Sequence, residues 1–320
     1  MEKDKYDYSL YKKIKNDDGI ILEYFILSEN LFGYFTDKKI INIISIKKDF
    51  EFVLKISDYN KNDLKVISLE KNSNELAIIN DKKIEIIEIK NKNENYSYIK
   101  KVILKQKDSL EINCITKLKE NPFFCYAYEN GEIYINSSIT PYEKKTYFEI
   151  NNQLQKLNQN NFKIITLNSL KNKLFIGNKN GVLIYSFDNT FKFKFENFYP
   201  EIFLDSPTLF MIISQNKLIM VNQDFMILYN VDSSQIEIKL AYPGYLIRGC
   251  FIPLDEKIVF ASCDDKSFRI FDINTFKEVK KYEKKHDNNT SCYFKIGNYL
   301  LFSSLQLYYS DNLYCYKNNL

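Results

Sequence analysis

One unit recurs along the chain: an apolar strand, a short polar turn, a second apolar strand beginning near Asn-x-Leu, another polar turn and an alternating strand. Four copies run through FILSENLFGYFTDKKIINIISI (25–46), LKVISLEKNSNELAIINDKKIEIIEI (64–89), INCITKLKENPFFCYAYENGEIYIN (112–136) and FKIITLNSLKNKLFIGNKNGVLIYSF (162–187). Three more lie at 209–231, 246–273 and from 291 onward. Taking the second strand as the marker gives Leu31, Leu76, Phe123, Leu174, Leu218, Ile258 and Leu300, spaced 40 to 51 residues apart. A period of about 40–45 residues is four strands' worth of chain. Such a unit cannot bury its apolar face alone and must stack on its neighbours, so seven markers predict seven stacked sheets.

The stretches between units supply the fourth strand. DFEFVLKI, YSYIKKVIL, KTYFEI, FKFKFENF, QIEIKL and FKEVKKY alternate apolar with charged residues, as a half-exposed edge strand does. Asn130-Gly131, Asn180-Gly181, Asp37-Lys38, Asp81-Lys82 and Asp265-Lys266 fall at the same place in successive units and read as hairpin turns that tolerate positive φ. QLQKLNQNN is the best helical fragment and is expected to be a loop.

The stretch Tyr245–His286, YLIRGCFIPLDEKIVFASCDDKSFRIFDINTFKEVKKYEKKH, carries the most specific pattern. Its strand–turn order resembles one repeat of the WD40 family. Phe271-Asp272 stand where that family has Trp-Asp, and His286 stands where it has the His of Gly-His. The resemblance implies an all-β, seven-bladed β-propeller of four-stranded antiparallel blades, one domain over residues 1–320, with segment 1–19 closing the ring. YDYSLYKKI would then pair beside the last blade; alternatively LYCYK (313–317) completes that blade by itself. The family's His–Ser–Trp–Asp hydrogen-bond chain cannot form, because the sequence holds no Trp and a single His. Phe271, Asp272 and His286 are therefore expected to be structural, with His286 packing near Ser291.

Composition excludes more chemistry than it suggests. One histidine rules out His-rich metal sites and two-histidine acid–base schemes. There is no G-x-S-x-G, no G-x-x-x-x-G-K-[ST] and no G-x-G-x-x-G. The paired carboxylates Asp264-Asp265 sit in a turn, where aspartates gather for local hydrogen bonding. The expectation is a non-catalytic chain with no cofactor and no metal. Cys114, Cys125, Cys250, Cys263, Cys292 and Cys315 fall singly in apolar runs, the pattern of reduced, buried thiols in a cytoplasmic or nuclear protein. No apolar run approaches the roughly 18 residues of a membrane span. Forty-five basic against 41 acidic residues leave a balance too even to imply nucleic acid. The run KEVKKYEKKH (277–286) and the segment YKKIK (11–15) read as solvated outer strands.

Only two arginines occur, Arg248 and Arg269, both in the sixth unit. Arg269 falls at an exposed position of a third strand. Arg248 falls at the start of an innermost strand, beside the top of a central channel, where a guanidinium can grip a carboxylate or phosphate with two hydrogen bonds. The expected partner site is the top face at blade six: Tyr245, Arg248, Asp264, Lys284 and Lys285. The expected role is a scaffold, monomeric by itself, for protein–protein interactions in a multisubunit assembly, with an RNA or ribosome contact left open. Binding of an anionic lipid headgroup or small ligand is the alternative.

Overall fold

A computed structural model describes residues 7–59, 65–69, 74–80, 83–105, 110–118, 122–128, 130–139, 142–150, 153, 156, 164, 166–178, 181–200, 209–212, 214, 216–221, 225–241, 251–254, 257–261, 267–273, 275, 277–283, 289–305 and 312–319. These residues form seven four-stranded antiparallel sheets, as the period predicts. Blade one is β2 (Ile21–Ser28), β3 (Leu31–Thr36), β4 (Ile41–Ser45) and β5 (Glu51–Ile56). Blade two is β6 (Lys65–Ser68), β7 (Glu75–Asn80), β8 (Lys83–Lys92) and β9 (Asn95–Lys105). Blade three is β10 (Ile112–Leu118), β11 (Phe123–Tyr128), β12 (Glu132–Ser137) and β13 (Lys144–Glu149). Blade four is β14 (Thr166–Leu170), β15 (Lys173–Asn178), β16 (Gly181–Phe187) and β17 (Phe193–Tyr199). Blade five is β18 (Leu209–Ile212), β19 (Lys217–Val221), β20 (Phe225–Asn230) and β21 (Gln235–Ala241). Blade six is β22 (Phe251–Leu254), β23 (Lys257–Ala261), β24 (Ser267–Asp272) and β25 (Glu278–Glu283).

Blade seven takes strands from both ends of the sequence. β26 (Asn289–Ile296), β27 (Tyr299–Leu305) and β28 (Asn312–Asn318) are joined on the outside by β1 (Tyr8–Lys15), with Ile14 opposite Leu313 and Leu10 opposite Tyr316. LYCYK is therefore the third strand, and YDYSLYKKI supplies the fourth. Each sequence marker lies in the second strand of its blade. In the helical-looking stretch 153–161 only Gln153 and Lys156 are described, and both have helical rather than loop backbone.

The first strands of consecutive blades touch in turn, β2–β6–β10–β14–β18–β22–β26 and back to β2, which closes a ring around a central channel. The core is divided among the gaps between blades, since each sheet has two apolar faces. Between blades one and two, Phe25, Leu27 and Ile43 meet Leu76, Ile78 and Ile87. Between blades seven and one, Ile14, Leu301, Leu313 and Cys315 meet Ile21, Phe32 and Ile44. In a chain without Trp, buried rings such as Phe32, Tyr34, Phe124, Phe175, Tyr229 and Phe302 fill much of these gaps, and such rings favour pleated, half-buried surfaces.

A regularity that the sequence pattern does not announce runs around the rim. Every outermost strand carries one extra residue opposite the third strand of its blade: Tyr11, Val53, Lys101, Lys145, Glu196, Glu237 and Val279. Bulges bend a strand and re-aim the extra side chain. In blades two, four and five that side chain pairs with the first residue of the second strand: Lys101 with Glu75 at 2.6 Å, Glu196 with Lys173 at 2.6 Å, and Glu237 with Lys217 at 2.9 Å. In blade seven, Tyr11 meets Tyr299 instead, ring centroids 5.7 Å apart. In blade one, Val53 and Leu31 belong to one apolar cluster.

Candidate functional site

The inner strand of every blade starts on one face of the ring, the upper face, which also gathers the turns between second and third strands. Tyr245, Arg248, Asp264, Lys284, Lys285 and His286 lie outside the described residues, so the blade-six part of this face is read from sequence alone. Phe271 and Asp272 are described. Phe271 is buried, 1% exposed, opposite Ile258 and Glu278. Asp272 holds the next turn: its Oδ1 accepts hydrogen bonds from the Thr275 backbone N–H (3.0 Å) and hydroxyl (3.1 Å).

Arg269 is not exposed as expected. Its side chain is 13% exposed, with Nη1 2.7 Å from Glu278 and Nε donating to the Ser267 hydroxyl at 3.2 Å. The reason is geometric. The third strand is flanked by β23 and β25, and the bulge at Val279 turns Glu278 back over the guanidinium.

Two polar clusters of the upper face were not singled out in the sequence. The first lines the channel. Glu23 lies on β2 where its register with β3 slips between Ile21 and Glu23. Water reaches its side chain, yet desolvation by burial pushes its carboxyl up to about 7, against the opposing pull of Lys65. The Lys65 ammonium donates to the backbone carbonyl of Asn113, whose side-chain amide donates to the carbonyl of Ile164 at 3.1 Å. Charge and hydrogen-bonding groups thus run over the first strands of blades one to three, ending at Ile164 just before blade four.

The second cluster fastens blade one where the chain passes from β1 to β2. Asn16, 1% exposed, donates from Nδ2 to the Gly19 carbonyl at 2.8 Å. Its Oδ1 accepts from the Asp18 N–H at 3.1 Å and from the Tyr34 hydroxyl at 3.0 Å. Asp18 in turn accepts from Asn42 Nδ2 at 3.1 Å and from the Lys55 ammonium. Asp37 closes the turn above them, taking the Ile20 N–H at 2.7 Å. One loop is thereby tied to the second, third and fourth strands of its blade.

Among the described residues no three His, Cys, Asp or Glu side chains are grouped to hold a metal ion. Cys114, Cys125 and Cys315 are free and buried, and burial pushes their thiols up, so they are poor nucleophiles. No helix among the described residues is long and apolar enough to cross a membrane.

Among solved structures, the chain aligns with the crystal structure of the WD40 beta propeller domain of Doa1 over 98% of both chains, at a TM-score of 0.66 and 10% sequence identity. The fold is that of a WD40 propeller. No protein family and no curated protein matches the sequence. The sequence holds no Trp and a single His, and in blade one the Asn16–Tyr34–Asp18–Asn42 network ties the loop before β2 to the strands of its blade. The signal for it was the NDDG run at 16–19, which reads as an ordinary turn until Tyr34 and Asn42 are brought beside it.

Proposed function

We propose that this WD40 propeller is a non-catalytic scaffold, one domain that holds partner proteins within a larger cytoplasmic or nuclear assembly. The observation that carries the reading is the ring closed by β1 on β28, which makes a rigid support whose loops are free to vary. The WD40 fold serves commonly for protein interaction, and the channel mouth at Glu23 and Lys65 offers polar groups to a segment entering from the upper face.

Blade six supplies the proposed contact residues Tyr245, Arg248, Asp264, Lys284 and Lys285. Arg248 is the expected anchor, since bidentate guanidinium contacts with carboxylate or phosphate are not reproduced by lysine. The protein is tagged in its native cells and its lysate sedimented with and without RNase. Migration in a discrete heavy particle, lost in Arg248→Glu, is the expected result; RNase sensitivity would point to a ribosome-associated particle. Migration at the 38.1 kDa monomer position overturns the scaffold reading and leaves anionic lipid or small-ligand binding as the alternative.

A further inference from the structure

Two lysine runs that read as separate solvated strands, YKKIK and KEVKKYE, become neighbours on the rim. β1 is the outermost strand of blade seven and β25 that of blade six. The strands meet at Tyr8 and Tyr282, whose rings pack edge to face with centroids 6.3 Å apart. Each carries the rim bulge, and each bulge presents a large apolar side chain: Tyr11 is 46% exposed and Val279 47%. Each is followed by two lysines, Lys12-Lys13 and Lys280-Lys281. The other bulge residues, Val53, Lys101, Lys145, Glu196 and Glu237, are followed by no such pair.

Among the described side chains of this strip, Asp49, Glu278 and Asp17 are engaged. Asp49 takes Lys12 at 2.7 Å and the Tyr11 hydroxyl at 2.8 Å, Glu278 takes Arg269, and Asp17 takes Lys15 at 2.9 Å. Lys13 and Lys280 lie over the rings of Tyr314 and Tyr282, 5.5 and 5.0 Å from the centroids, and Lys317 over Tyr11 at 5.6 Å. These rings hold the ammonium groups in place along the two strands.

We infer that the rim over blades six and seven docks an extended acidic segment of a partner protein that carries apolar residues among its carboxylates. Lysines along both strands match the carboxylates, and the two bulge side chains give the apolar residues something to pack on. The open edges of β1 and β25 offer backbone groups to an extended chain. A nucleic acid fits less well: the overall charge is only +4, and the tyrosines beneath Lys13 and Lys280 are buried or half-buried rather than offered for base stacking. The proposal rests on the scaffold reading but uses purified protein and a different surface, so either can fail without the other.

The test is fluorescence polarisation with a labelled peptide alternating glutamate and leucine, beside a single-stranded RNA oligomer and phosphatidylserine vesicles. The expected result is saturable peptide binding that weakens with salt. Lys13→Glu/Lys280→Glu should reduce affinity at least about tenfold, while Lys194→Glu/Lys239→Glu on the blade four and five rim leaves it unchanged. Val279→Ser, which alters no charge, should weaken binding by about threefold or more through lost apolar contact alone, and it keeps the test decisive should the double reversal fail to fold. Absence of peptide binding, an equal loss in the blade four and five variant, or tighter binding of the RNA or vesicles at the same lysines overturns the proposal.

Discussion

The bulge-to-second-strand ion pairs allow one geometry to be compared at two depths. In blade four, Lys173 is 6% exposed and its ammonium lies 2.6 Å from Glu196, with the Ser234 hydroxyl as a further partner. In blade five, the Lys217 and Glu237 side chains are 30% and 31% exposed. Removing one partner of a buried pair costs about 3–5 kcal/mol, because the remaining charge cannot recover its water, whereas an exposed pair is worth about 0–1 kcal/mol. Glu196 itself is a quarter exposed, which puts Glu196→Gln at the lower end, about 3 kcal/mol. At about 2 °C per kcal/mol for a long chain, that lowers Tm by about 6 °C. Glu237→Gln should cost less than about 1 kcal/mol and shift Tm by about 2 °C at most. Differential scanning fluorimetry at neutral pH reads both, and Lys173→Glu/Glu196→Lys should recover most of the blade four loss. Equal shifts in the two glutamine variants, or no rescue by the swap, would show that burial does not set the strength of these pairs.

Three further expectations follow from the same structure. Asn16→Ala removes three buried hydrogen bonds and should cost about 3 kcal/mol, Tyr34→Phe about 1, and the double variant about 1 less than their sum; urea titration of the four proteins measures it. Glu23 holds its proton more tightly folded than unfolded, so its stabilising contribution is complete below about pH 4.5 and is lost as pH rises through about 7. Tm of the wild type should therefore fall between those values relative to Glu23→Gln, and parallel curves would sink the assignment. Ile14→Ala, opposite Leu313 in the closing pair, should cost about 2–4 kcal/mol in one cooperative transition; a loss confined to faster amide exchange in β1 would mean that closure contributes nothing to the ring.

The architecture was legible because period and alternation are global signals: seven second-strand markers survive even where Trp-Asp has become Phe271-Asp272. The turns at Gly131 and Gly181 were legible for a local reason, while Asp81-Lys82 and Asp265-Lys266 lie outside the described residues. Gly131 has φ 87°, and a Cβ at Gly181, φ 143°, would lie 2.3 Å from the Tyr199 carbonyl oxygen. Arg269 was misplaced because an alternating strand says which residues share a face, not whether a bulge on the next strand folds an acid over them. Glu23 escaped notice because one carboxylate among 41 acidic residues has no pattern; its raised carboxyl comes from the desolvation that folding imposes on it. The rim pairs left a trace that could have been read: Glu75 with Lys101, Lys173 with Glu196 and Lys217 with Glu237 keep opposite sign at a separation of two hairpin turns and a bulge.

Because Tyr8–Lys15 pairs with Asn312–Asn318, the propeller's first strand, once it has left the ribosome, waits for the propeller's last. At about 5–20 residues per second, the roughly 300 residues between them take some 15–60 s to synthesise. Throughout that interval the nascent chain carries an unpaired strand that must neither fold back on the wrong blade nor pair with a neighbouring polysome product. Lys12, Lys13 and Lys15 make it a poor partner for other edges until β28 arrives with Leu313 and Cys315. The same lysines that line the finished rim therefore guard the chain during its synthesis.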